Sequence, residues 1–217
     1  MVIRASRRPP LASGVVLLAA LCAGSPAAQV GPGPDVARDA SREQWQMPVR
    51  VMDEIGVGPG MTVADVGAGD GWFSFYLAER VGSSGRVIAE DIDAPAMNAL
   101  REQCAKRRVS NISVLVGEPE DPRLPPGSVD VAVMVNVLTA LGSANAGSFL
   151  GNLARGLKPG GRLVLIDWDP VKLRQTTASQ FQPELRRMLR LLEDARFEVV
   201  KTLDFLPRQS FRVCQRR

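Results

Sequence analysis

The sequence contains no histidine in 217 residues. That absence excludes histidine metal sites, serine–histidine–aspartate triads and histidine general bases together. Cysteine is scarce: Cys22, Cys104 and Cys214 stand at spacings that fit no zinc knuckle. Cys104 falls in a helical pattern and Cys214 in a terminal strand. An oxidising compartment would permit them to pair, but two buried thiols are the expectation. Aromatic residues make up only 5% of the chain, and the single tyrosine, Tyr76, sits in an apolar helical stretch that assigns it to the core. The apolar stretch at 11–24, LASGVVLLAALCAG, is too short and too rich in small residues to span a membrane comfortably.

A marked excess of one charge is also missing. Lys plus Arg is 27 and Asp plus Glu is 23, but Arg4, Arg7 and Arg8 lie in a stretch without acidic residues. Setting those three aside leaves 24 basic residues against 23 acidic ones. A nucleic-acid-binding chain is expected to keep a basic stripe. The local runs KRR at 106–108 and CQRR at the end read as solvated surface. No nucleic-acid partner is expected. With 45% hydrophobic and 23% charged residues, the composition is that of a globular protein with a substantial core.

Residues 1–27 read as a signal peptide: a basic start, a short apolar stretch, and Ser25 and Ala27 as the small residues before a cut after Ala27. SRRPPL at 6–11 is similar to a twin-arginine export signal, although Pro9-Pro10 departs from the usual pattern. Leu21 before Cys22 argues against a lipoprotein anchor. The expectation is an exported or periplasmic protein with no stable membrane span once the leader is removed. A cytoplasmic location is the alternative if the leader is retained. Residues 28–40 are rich in Gly and Pro and read as a linker. Residues 41–217 are expected to form the domain, beginning with a helical cover over 41–60 interrupted near Pro48.

Beyond that point strands and helices alternate. Strands are expected at 62–66, 86–91, 112–117, 129–137, 162–167, 198–206 and 210–215. Helices are expected at 72–82, 94–108, 146–161 and 183–197, the last with Leu185, Leu189 and Leu192 on one face. Such alternation predicts a doubly wound α/β domain.

The stretch VADVGAGDGWFS at 63–74 places Gly67, Gly69 and Gly71 between the first strand and its helix. This is the ligand-binding turn of an open α/β sheet. A dinucleotide fingerprint would need glycine at 72, where Trp72 stands. The Gly-Lys-Ser/Thr of a triphosphate loop is absent as well. Asp91 ends the second strand, 22 positions after Gly69, where a carboxylate can accept from both hydroxyls of a ribose. Its neighbour Glu90 is the alternative, and Asp93 reads as a helix cap.

Asp65-Val66-Gly67-Ala68-Gly69-Asp70-Gly71 resembles the first motif of the class I S-adenosylmethionine-dependent methyltransferases, acidic-x-Gly-x-Gly-x-Gly. The resemblance runs from about Trp45 to the end. It implies a Rossmann-like, mostly parallel, seven-stranded sheet with an antiparallel C-terminal strand, and S-adenosyl-L-methionine as cofactor. It carries cofactor binding onto Asp65, Gly67, Ala68, Gly69, Asp91 and Ile92. It also carries Glu118 toward the adenine amino group, Pro119 toward the ring, and Asn136 beneath the sulfonium.

The acceptor implied is a small molecule of unidentified structure. Many members carry an aromatic-His-His run after the fourth strand, where this chain has Val137-Leu138-Thr139-Ala140. No catalytic residue is assigned and no metal ligand is expected. Asp167 and Asp169 are candidates for the substrate side. An aminopropyltransferase of the same fold and a non-catalytic cofactor-binding module stay open as alternatives. A nicotinamide oxidoreductase is disfavoured by Trp72.

Overall fold

The computed structural model describes residues 40–141 and 145–217. The leader and linker assigned to 1–40 lie outside the described residues, save Ala40 at the start of the first helix. Two short helices, α1 (Ala40–Gln46) and α2 (Pro48–Ile55), precede the sheet. Pro48 separates them as expected. Met47 before it takes a left-handed conformation, and the missing N–H of proline is harmless at the first helical position. Val51, Met52 and Ile55 form the buried face of α2.

Seven strands follow: β1 (Thr62–Val66), β2 (Arg86–Asp91), β3 (Ile112–Val116), β4 (Val129–Val135), β5 (Leu157–Trp168), β6 (Phe197–Leu203) and β7 (Gln209–Arg216). They form one sheet in the order β3-β2-β1-β4-β5-β7-β6. β1 to β5 pair in parallel, while β7 runs antiparallel to both β5 and β6. The expected mostly parallel sheet with an antiparallel C-terminal strand is what the chain forms. The strand order reverses between β1 and β4, which opens a crevice at their carboxyl ends.

Helices α3 (Trp72–Val81) and α4 (Ala94–Arg107) cover one face, and α5 (Ala146–Gly156) and α6 (Ala178–Asp194) the other. Alternate residues of each strand feed the two cores: Val63, Val87 and Val133 face α3, whereas Ala64, Ile88 and Met134 face α5. Cys104 and Cys214 are both free and buried, in the cores on opposite faces of the sheet.

Several expected boundaries move for identifiable reasons. The helix expected at 146–161 stops at Gly156, because Pro159 disfavours helical backbone at Lys158 and Leu157 instead pairs with Val129. The last helix starts at Ala178 rather than Pro183. Thr177 and Gln180 form a reciprocal capping box, and the helix tolerates Pro183 inside it. In that helix Leu192 is buried but Leu189 is exposed; Met188 and Leu191 pack on the core instead. The fourth strand ends at Val135, because Asn136 turns into the left-handed region.

Candidate functional site

The glycine loop is tied to the end of β2 at two levels. The carbonyl oxygen of Glu90 accepts from the backbone N–H groups of Gly67 and Ala68, each at 2.8 Å. The Asp91 carboxylate then accepts from the Gly69 N–H at 2.9 Å through Oδ2 and from the Asp93 N–H at 3.0 Å through Oδ1. Gly67 has φ +74°, and a Cβ there would overlap the Val137 side chain. Only glycine meets both demands. At Gly69 the space outside the loop is open. Asp93 caps α4 through the Ala96 N–H at 3.0 Å, as expected for it.

Two carboxyl groups behind the loop are withdrawn from water. Asp65 is buried on the α3 side, where the Ser74 hydroxyl donates to it at 2.6 Å. Burial pushes its carboxyl up to about 6, with the Ser74 hydrogen bond acting against the rise. Glu90 is buried too, and its Oε1 has no hydrogen-bond partner among the described residues. Burial, reinforced by the nearby Asp91, pushes Glu90 up to about 8. Gly117 leaves the room that this side chain occupies, since a Cβ there would overlap Glu90 Oε1.

A cavity of 270 Å³ opens over the carboxyl ends of β1, β2 and β4. Gly67, Asp91, Ile92 and Asn136 line it, together with Glu90 and Phe149. Four of the residues singled out from sequence therefore meet at one opening. Ile92 lies against it with 58% of its surface exposed. Asp65, Ala68 and Gly69 stand behind or beside it and shape the loop. Glu118 and Pro119 do not line it. Both are exposed, and Glu118 is engaged with Arg123 across a turn closed by the Glu118 N–H to Asp121 oxygen bond of 2.8 Å. The sequence signal there was the Gly-Glu pair; the structure gives the buried position to Glu90, lodged against Gly117.

Further along the same sheet edge, Asn136 donates its backbone N–H to the Ile166 oxygen at 2.7 Å, and its Oδ1 accepts from Gln209 Nε2 at 2.8 Å. Gln209 is fully buried. Asp167 accepts from the hydroxyl and the N–H of Thr139 at 2.6 and 3.1 Å, while burial raises its pKa. Trp168 stacks on Trp45 of α1 with centroids 5.2 Å apart. Asp169 turns into its own loop and accepts from the Val171 and Lys172 N–H groups.

Ser74, Gln209 and the Trp45–Trp168 pair were not picked out as site residues. Ser74 was legible as a lone hydroxyl in an apolar helical run. The other two depend on strand pairing that one sequence does not display.

A glycine loop at the switch point of a seven-stranded sheet with an antiparallel β7 matches the Rossmann-like fold of the class I S-adenosylmethionine-dependent methyltransferases. Residues 63–161 match the family described as "Methyltransferase domain". A SAM-dependent methyltransferase from Aquifex aeolicus superposes with a TM-score of 0.70 at 29% identity, over 82% of this chain and 93% of that one. Geranyl diphosphate C-methyltransferase from Streptomyces coelicolor A3(2) has the same fold, with a TM-score of 0.64 at 18% identity, over 82% of this chain and 80% of that one. Nocamycin O-methyltransferase from Saccharothrix syringae is 36% identical over 129 residues, which are 58% of this chain and 45% of the relative. The chain thus spans about half the length of the curated relatives it matches.

The residues present fit the cofactor of that class. S-adenosylmethionine offers an ammonium, a sulfonium and two ribose hydroxyls, all of which favour acceptors or negative charge. Asp91 and Glu90 line the opening, with Glu90 Oε1 buried against Gly117 and Asp65 buried behind the loop.

Proposed function

We propose that the protein transfers a methyl group from S-adenosylmethionine to a small-molecule acceptor. The observation that carries this reading is the acid-lined cavity at the glycine loop, with Asp91 bonded to the Gly69 N–H and facing that cavity. Bound there, the cofactor supplies an already activated methyl group on sulfur. Asp91 accepts from the ribose hydroxyls while holding the loop. Gly67, Ala68 and Gly69 let the backbone approach the amino-acid half, with Asp65 behind them toward the ammonium. Ile92 covers the adenine, and Asn136, fixed by Gln209, borders the sulfonium side. Glu118 and Pro119 approach the adenine edge only if the 117–121 turn moves inward.

The chain's task is then alignment and exclusion of water. Helix α1 supports the reading of 41–60 as a cover, because Trp45 reaches across to Trp168 at the end of β5. Domain limits of 41–217 and export after removal of residues 1–27 belong to the same proposal.

Incubation of the full chain with methyl-labelled S-adenosylmethionine and a metabolite extract of its host tests the reading. Label is expected in the small-molecule fraction. Label confined to protein or nucleic acid would overturn the choice of acceptor, and retention of all label in intact cofactor would favour a binding module without turnover.

A further inference from the structure

A second opening lies at the end of β5 and the start of β7. Its volume is 440 Å³, and Trp168, Leu173, Gln175 and Arg208 line it. Paired and hydrogen-bonded residues connect the two openings. Gln209, paired with Trp168 across β5 and β7, donates to Asn136, which lines the cofactor cavity. On the other flank, Asp167 fixes Thr139, next to the cavity residue Ala140.

The lining has a definite chemistry. Trp168 is 39% exposed although it is a large apolar side chain, and its stacking on Trp45 holds the ring in place. Arg208 lies 5.3 Å from the centroid of the Trp45 ring and has no carboxylate within ion-pair distance among the described residues. Three acidic residues near it in sequence or across the strand pair, Asp167, Asp169 and Asp204, have other partners. Asp169 accepts from the Val171 and Lys172 N–H groups, Asp204 pairs with Lys172, and Asp167 is bonded to Thr139. Lys172 also donates to the Leu206 and Gln209 carbonyls at 2.7 and 2.9 Å, which pins the loop that forms the floor. The mouth therefore presents a fixed aromatic face beside a guanidinium with no ion pair among the described residues. Guanidinium forks bind carboxylates and phenolates through paired hydrogen bonds, and an indole face takes a flat ring.

We infer that the methyl acceptor is a flat aromatic anion, its ring laid against Trp168 and its carboxylate or phenolate directed to Arg208. This rests on the methyltransferase reading above. The anionic oxygen is itself the nucleophile: it forms the O–CH3 bond as the S–CH3 bond breaks and S-adenosylhomocysteine leaves, so no proton has to be removed, which suits a chain without histidine.

Calorimetric titration of the full chain, saturated with S-adenosylhomocysteine, tests the inference with two probes of one shape: 2-naphthoate and uncharged 2-naphthalenemethanol. The carboxylate is expected to bind about ten-fold more tightly, as a charge-assisted pair requires. Arg208→Gln should abolish that difference and Arg208→Lys should restore part of it. Trp168→Leu should weaken both probes alike. Equal affinity for the two probes, no binding of 2-naphthoate, or an unchanged preference in Arg208→Gln would overturn the inference while leaving cofactor binding intact. Failure of S-adenosylhomocysteine itself to bind would overturn the methyltransferase reading, and the acceptor assignment with it.

Discussion

The side chain of Asp91 accepts the backbone N–H of Gly69 at 2.9 Å, joining the end of β2 to the glycine loop after β1. The same carboxylate borders the cavity above. One residue thus shapes the loop and borders the cavity.

Replacement of Asp91 by Ala is expected to cost affinity for S-adenosylhomocysteine by at least about 100-fold, as loss of a charged partner to two hydroxyls implies. Stability should fall by about 1.5–3 kcal/mol, because the Gly69 N–H loses a charged acceptor. Calorimetric binding and urea unfolding measure the two effects separately. Unchanged affinity would place the ribose contact elsewhere.

Ser74→Ala removes the hydroxyl donor to the buried Asp65 carboxyl. The expected loss is about 1–3 kcal/mol, the cost of leaving a buried polar group without its partner. Without that donor, which now lowers the Asp65 pKa, the carboxyl should hold its proton to still higher pH. Urea unfolding and carboxyl-carbon NMR titration report these effects.

The raised carboxyls predict a dependence of stability on pH. Asp65 moves from 3.8 up to about 6, and Glu90 from 4.5 up to about 8. Across each interval the folded chain keeps a proton that the unfolded chain has lost, so stability falls as pH rises. The contribution is complete below the ordinary values and is lost through 6 for Asp65 and 8 for Glu90. Glu90→Gln removes the upper part of that decline. The variant should therefore gain stability relative to the wild type between about pH 5 and pH 8. Scanning calorimetry across that range checks it; parallel curves for the two proteins would show that Glu90 ionises freely in the folded chain.

Cleavage after Ala27 is checked by the intact mass of protein purified from its own host. The mature mass should begin at Ala28. A mass that includes residues 1–27 would show that the leader is retained.

Much of this architecture was legible because it follows from local pattern. The alternation of strands and helices, the cap at Asp93 and the break at Pro48 all depend on residues close in sequence. The Asp65-to-Gly71 run identified the loop because backbone conformation, close approach and strand-end position constrain it together. What was not legible depends on pairing between distant segments. Glu90 and Asp91 are adjacent acids at a strand end, and only the fold sends one into the α5-side interior and leaves the other bonded to Gly69. Glu118 follows a glycine as the family pattern asks, yet Arg123, five residues on, engages it at the surface. Gln209 meets Asn136 only because β7 inserts next to β5.

Thermal unfolding of the full chain with S-adenosylhomocysteine, S-adenosylmethionine and NAD in parallel tests the central claim most directly. At about 100 times its dissociation constant a ligand stabilises by roughly 2.7 kcal/mol, a shift of a few degrees for a domain of this size. The two adenosyl-sulfur ligands should raise the midpoint and NAD should leave it unchanged. A shift with NAD alone, or no shift with either sulfur ligand, would contradict a methyltransferase site at the glycine loop.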